Sequence, residues 1–115
     1  MKLEVGQFIR YKYENCIYIG KIKFISEVMC GLNETLQIDI DNCMEEILKK
    51  DILKASNSII DLIEVGDYVN GYEVEYKFEY SLRIQSGQDY WYMRNDDIKT
   101  IITKEQFSQM EYKVD

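Results

Sequence analysis

The stretch Ile60-Asp-Leu-Ile-Glu-Val-Gly-Asp-Tyr-Val-Asn-Gly-Tyr-Glu-Val74 sets the reading of the chain. Asn70-Gly71 sits between two apolar-rich runs. That dipeptide is the strongest short-range hairpin signal, because both central residues of the tight turn need positive φ. Gly66 precedes the first run, and the run after the turn alternates apolar with polar. The stretch also has an echo sixty residues earlier. Leu3-Glu4-Val5-Gly6-Gln7-Phe8-Ile9-Arg10 matches Ile63-Glu64-Val65-Gly66-Asp67-Tyr68-Val69-Asn70 in chemical class at every position except the last. The chain is therefore expected to hold two similar small β units, residues 1–57 and 58–115.

Working outward, the longest regular pattern follows the turn. Tyr72, Val74, Tyr76, Phe78, Tyr80, Leu82 and Ile84 alternate with Glu73, Glu75, Lys77, Glu79, Ser81, Arg83 and Gln85. Period two is strand, and the run exceeds one typical strand, so a bend or turn is expected near Glu79–Ser81. Ser86-Gly-Gln-Asp89 reads as a turn, Tyr90–Met93 as a strand, Arg94–Asp97 as a polar turn and Ile98–Ile102 as a last strand. Thr103-Lys-Glu-Gln106 is a capping-box pattern opening a closing helix, with Phe107, Met110 and Val114 on its apolar side.

The first unit reads as a strand over residues 3–12, a turn at Tyr13–Asn15 and a long strand Cys16–Ser26 bent at Gly20. A turn over Gly31–Glu34 and a strand Thr35–Ile40 follow. Asp41–Lys50 carries an N-cap candidate, Glu45-Glu46 early and Lys49-Lys50 late, which predicts a short helix. Asp51–Ala55 reads as a strand. Residues 56–62 read as a turn or one-turn helix. The order of elements predicts a mainly β protein with short helices (β+α): two pseudo-repeated SH3-like small barrels, or one elaborated barrel.

The composition excludes several chemistries. The 115 residues contain no histidine, which removes the commonest general base and zinc ligand. Cys16, Cys30 and Cys43 form no Cys-x-x-Cys pair, so no disulfide framework or zinc knuckle is indicated. No phosphate-cradling glycine motif is present. Asp39-Ile-Asp41 fails as a calcium loop, with Met44 at position six and Lys50 at position twelve. Asp96-Asp97 could hold a magnesium ion, and Asp61, Glu64 and Asp67 could cluster at the entry to the second unit, but exposed turn carboxylates are the commoner case. No catalytic residue, metal or cofactor is assigned, and the chain is read as a non-enzyme. No apolar run could span a bilayer, and Met1-Lys-Leu-Glu4 lacks a signal-peptide core, which predicts a cytosolic protein.

Charge is uneven. Residues 1–57 carry 8 basic against 9 acidic side chains and residues 58–115 carry 6 against 12, so most of the net −7 lies in the second half. Such a half repels phosphate backbones and suits a basic protein surface. Seven aromatics crowd between Tyr72 and Tyr92, and alternation sets Trp91 on the opposite face from Tyr90 and Tyr92. Exposed Tyr and Trp beside acids make protein-binding hot spots. The candidate partner-binding residues are Asp61, Glu64, Asp67, Glu73, Glu75, Glu79, Trp91, Tyr92, Asp96 and Asp97. A competing nucleic-acid face would use Lys12, Lys21 and Lys23 of the first hairpin.

Three phrases carry a resemblance: Glu64-Val-Gly-Asp-Tyr-Val-Asn-Gly-Tyr72, Lys54-Ala-Ser-Asn-Ser-Ile-Ile-Asp-Leu-Ile63 and Asp96-Asp-Ile-Lys-Thr-Ile-Ile-Thr-Lys-Glu-Gln-Phe107. Together with 2–10 they resemble small phage and prophage proteins of low-GC Gram-positive bacteria, clostridia in particular. The resemblance covers most of 54–114 and fits 13–50 less well. It brings no catalytic residues. It implies an accessory gene of a mobile element, a setting that includes anti-CRISPR proteins occupying a nuclease's nucleic-acid groove. The expectation is a non-enzymatic inhibitor of a bacterial defence nuclease, acting in the host cytosol on a CRISPR effector or its guide complex. A nucleic-acid-binding or adaptor barrel and a carboxylate-dependent nuclease stay open as alternatives.

Overall fold

The computed structural model describes residues 3–23, 25–30, 33–40 and 43–110. The chain divides into two compact units, residues 1–58 and 59–115. It is mainly β, with one short α-helix among the described residues.

In the first unit, β1 (Phe8–Tyr13) and β2 (Cys16–Lys21) form an antiparallel hairpin, and β6 (Ile52–Ser56) pairs with the other edge of β1. The hairpin turn has Glu14 at φ 49 and Asn15 at φ 63, the mirror-image turn that matches strand twist. A second sheet has the order β3 (Ile25–Cys30), β4 (Asn33–Ile40), β5 (Cys43–Leu48). A 3-10 turn at Lys49–Asp51 leads into β6. Ile9, Tyr11, Ile22, Ile47 and Ile52 form one buried cluster.

The second unit opens with a 3-10 turn at Ile59–Leu62. Its five strands are β7 (Tyr68–Val69), β8 (Tyr72–Lys77), β9 (Leu82–Ser86), β10 (Asp89–Met93) and β11 (Ile101–Ile102), in the sheet order β10-β9-β8-β7-β11. A 3-10 turn at Asn95–Asp97 precedes β11, and α1 (Lys104–Met110) follows it. Ile60, Ile63, Val69, Val74, Leu82 and Ile84 are buried. The Asn70-Gly71 hairpin forms as its dipeptide requires, with φ of 52 and 87.

The sixty-residue echo is a repeated piece of backbone. In each unit the turn glycine has φ near +100, 98 at Gly6 and 99 at Gly66, a conformation in which side chains are strained. Four hydrogen bonds recur. The Gln7 N–H donates to the Glu4 carbonyl and the Asp67 N–H to that of Glu64. The Glu4 N–H donates to Gln7 Oε1 at 2.9 Å and the Glu64 N–H to Asp67 Oδ2 at 2.8 Å. The Gly6 N–H donates to the Ile22 carbonyl and the Ile22 N–H to that of Gln7, as the Gly66 N–H donates to the Val74 carbonyl and the Val74 N–H to that of Asp67. Each unit then returns an Ile-bearing strand, β6 or β11, to the edge of its first strand.

Several expectations are corrected. The segment expected as a helix over 41–50 is strand β5 from Cys43 to Leu48, with 41 and 42 outside the described residues. Caps and end charges favour a helix by tenths of a kcal/mol to about 1 kcal/mol each, and so short a helix is marginal alone. A six-pair ladder with the preceding strand, from Thr35↔Leu48 to Ile40↔Cys43, supplies more. The long strand Cys16–Ser26 ends at Lys21, and its pairing runs unbroken past Gly20. The break falls at Ile22: its N–H still bonds the in-register Gln7 carbonyl, but its own carbonyl accepts from Gly6, because the Gln7 N–H is turned to Glu4. The last strand covers two residues, because the Lys99 and Thr100 N–H groups are taken by Asn70 Oδ1 at 2.8 and 3.0 Å. The closing helix buries no residue, and Val114 lies outside the described residues. Among the described residues there are three sheets, and none closes on itself.

Candidate partner-binding face

The site is built by one irregularity in β8. Val74 faces Ile84 across the β8–β9 pair, and both are buried. The register then slips, so that Tyr76 faces Arg83. The extra residue, Glu75, shifts the phase of the alternation. Without the slip Tyr76 would follow Val74 inward. With it, Tyr76 lies on the outer face, 54% exposed. The turn over 78–81 closes with the Phe78 N–H donating to the Ser81 carbonyl, and the apolar pattern resumes inward at Leu82 and Ile84.

Across β9 the pairing carries the row onward: Arg83 faces Tyr92, and Gln85 faces Tyr90. Tyr76, Phe78, Tyr90 and Tyr92 therefore gather on one exposed face. Phe78 lies 6.2 Å from Tyr76 and 5.9 Å from Tyr92, and Tyr90 meets Tyr92 edge-on at 6.1 Å. Tyr80, 75% exposed, stands in the adjoining turn. The Arg83 guanidinium sits among the rings, 4.6 Å from the Tyr76 centroid and 5.5 Å from that of Tyr90. Glu75 pairs with it at 2.7 Å. That hydrogen bond, with a smaller contribution of Tyr92, holds the Arg83 pKa above its ordinary value. Glu75 Oε2 and Arg83 Nε are buried without hydrogen-bond partners. A monomer rarely shows so many large rings packed together on open surface.

The sequence-derived candidates separate. Glu75 and Tyr92 belong to the aromatic face, and Glu79 is exposed in its 78–81 turn. Trp91 is half-buried on the opposite face, edge-on to Tyr72 at 5.1 Å. Glu73 is exposed on β8 opposite Tyr68. Asp61 lies in the opening 3-10 turn, where its backbone carbonyl accepts the Lys77 ammonium at 3.0 Å. Asp96 and Asp97 are exposed in the turn before β11, and Asp97 Oδ2 accepts the Arg94 N–H. Glu64 is exposed and pairs with Lys104 at 2.9 Å, which raises the Lys104 pKa.

Asp67 leaves the candidate set because it is fully buried. Oδ2 takes the Glu64 N–H and Oδ1 takes the Lys104 N–H at 2.9 Å. Its carboxylate ties the repeated turn to the first residue of α1, where the helix dipole favours negative charge. Among the described residues no three His, Cys, Asp or Glu side chains gather to hold a metal ion. Lys12 and Lys21 are both exposed and share a face of the first hairpin by register, but they stand at its opposite ends. Lys23 is exposed beyond β2.

Sequence reasoning left Tyr76, Phe78, Tyr90 and Arg83 outside the site. The crowding of aromatics was visible. The bulge that turns Tyr76 outward was not, because unbroken alternation placed it with Val74. Among the described residues no helix is long and apolar enough to cross a membrane. No protein-family model, curated protein or solved structure matches the chain.

Proposed function

We propose that this protein is a non-enzymatic binding protein, whose partner docks on the aromatic face of the second unit. The carrying observation is the exposed cluster of Tyr76, Phe78, Tyr90 and Tyr92 around the Glu75–Arg83 pair. Such rings supply large contact area at low entropic cost, and hot spots are enriched in Tyr and Arg. The surrounding acidity selects a basic partner surface. The phage resemblance and the charge together support the finer reading. In it the target is a bacterial defence nuclease, of which CRISPR effectors are one class, blocked at its nucleic-acid groove in the host cytosol. The sheet order β10-β9-β8-β7-β11, with a 3-10 turn before the last strand, supports an SH3-like reading of the second unit.

The test is capture of partners by the tagged full chain from lysate of a CRISPR-bearing bacterium, with and without nuclease treatment. The expected result is a nuclease protein retained at stoichiometric level after that treatment and released by salt. A Tyr76→Ala/Tyr92→Ala variant that still folds is expected to lose it. Recovery of nucleic acid alone, or capture unchanged in the variant, would overturn the proposal and move attention to Lys12 and Lys21.

A further inference from the structure

The aromatic face ends at an open sheet edge. β10 is the terminal strand of its sheet, and among the described residues β9 is its one partner. The β9–β10 loop is two residues, Gly87-Gln88, with Gly87 at φ 64, the form with glycine first. In a two-residue hairpin the closing pair, here Ser86 and Asp89, is the hydrogen-bonded one. Alternation then turns the N–H and C=O groups of Tyr90 and Tyr92 away from β9, toward the open edge. Asp89, at the start of β10, is the one charged side chain on this edge strand. Asp89-Tyr-Trp-Tyr-Met93 contains no proline or lysine, and its pairing with β9 is regular throughout. The residues that offer free backbone groups are thus the same two whose rings stand 60% and 53% exposed.

We infer that β10 is a strand-addition edge that receives an extended basic segment of a partner protein. The inference rests on the binding-protein reading above and specifies its mode. Main-chain hydrogen bonds to Tyr90 and Tyr92 supply affinity, and the side chains on the aromatic face supply selection. Arg83 shows what that face accepts, since its guanidinium already lies over Tyr76 and Tyr90. An arginine of the added strand finds the same ring chemistry at Tyr92. The net charge of −6 over 58–115 favours a basic strand and opposes a second copy of this chain.

The experiment titrates the isotope-labelled full chain with a synthetic peptide of alternating Val and Arg, observed by amide NMR. Two control peptides are used, one with Glu for Arg and one N-methylated at alternate backbone positions. Shifts centred on residues 89–93 are expected from the Val/Arg peptide, with affinity at least about tenfold weaker for either control. A Tyr92→Pro variant, whose lost N–H has no partner in the sheet, is expected to weaken binding similarly, and a Tyr92→Ala variant checks that result if proline disturbs the strand. Equal binding of the N-methylated peptide, absence of shifts at β10, or dimerisation of the free chain through β10 would each overturn strand addition. Lysate capture that Tyr76→Ala/Tyr92→Ala abolishes while Tyr92→Pro leaves intact would overturn it and leave the binding-protein reading standing.

Discussion

The two copies of the repeated turn differ at one informative residue. Gln7 and Asp67 occupy equivalent places and each caps its own turn, at the Glu4 and Glu64 N–H groups. Gln7 is half-buried. Asp67 is fully buried and holds the first N–H of α1 as well. Removing a buried acceptor strands its donors, at about 1–3 kcal/mol per group. Asp67→Ala is therefore expected to cost about 2–3 kcal/mol and Gln7→Ala less than about 1 kcal/mol. Urea unfolding of both variants checks the contrast; equal losses would show that the helix contact contributes nothing. From the sequence, Asp67 looked like one of three neighbouring acids. Nothing local distinguishes a surface carboxylate from one that a helix thirty-seven residues later will cover. Asn70 behaved differently. Its positive φ was legible in the Asn-Gly dipeptide, whereas its side-chain clamp on Asp97, Lys99 and Thr100 was not.

Among the elements, the closing helix was read from four residues. The Thr103 N–H donates to Gln106 Oε1 and the Gln106 N–H to Thr103 Oγ1, both at 3.1 Å. This reciprocal cap is local chemistry, so the sequence contains it whole. The helix is seven residues long and buries none of them, although Phe107 stacks on Tyr68 at 4.1 Å. With little burial to support it, α1 depends on its start. Thr103→Ala is expected to cost about 1 kcal/mol. Hydrogen exchange is expected to rise across 104–110 more than in β7–β9. Uniform exchange would show that the cap is not limiting. β5 shows the opposite case. Glu45-Glu46 within it and Lys49-Lys50 just beyond it match helix end-charges, and the strand forms because β4 lies next to it in the chain.

At the scale of the whole molecule, three basic or phenolic groups among the described residues have pKa values raised above the ordinary ones. Burial raises Tyr18, and carboxylate partners raise Lys104 and Arg83. Each folded-state pKa lies above its unfolded value. The stability these groups contribute is then fully present below the ordinary Tyr and Lys values, about pH 10, and is lost as pH rises through the folded values. Urea midpoints are expected to fall from about pH 10 upward, and Tyr18 to be among the last phenols to ionise in absorbance titration. The Lys104–Glu64 part is small, because both side chains are about half exposed. A midpoint that rises with pH in that window would reverse the sign.

What the sequence determined by itself is what depends on neighbours along the chain. It contained the sixty-residue echo, the Asn-Gly hairpin, the reciprocal cap, the turn between Lys77 and Leu82, and the mainly β character, although the strand expected over 3–12 starts only at Phe8, after the repeated turn. These follow from backbone φ preferences, period-two patterning and hydrogen bonds spanning a few residues. The tertiary structure alone decided the strand identity of Cys43–Leu48, the burial of Asp67, the bulge at Glu75 and the open edge of β10. Each depends on which backbone lies opposite, whether near or far along the chain. A one-residue slip in pairing reverses the face of every side chain beyond it. That slip sets Tyr76 on the same exposed face as Tyr92, across Arg83, which no pattern within β8 could announce.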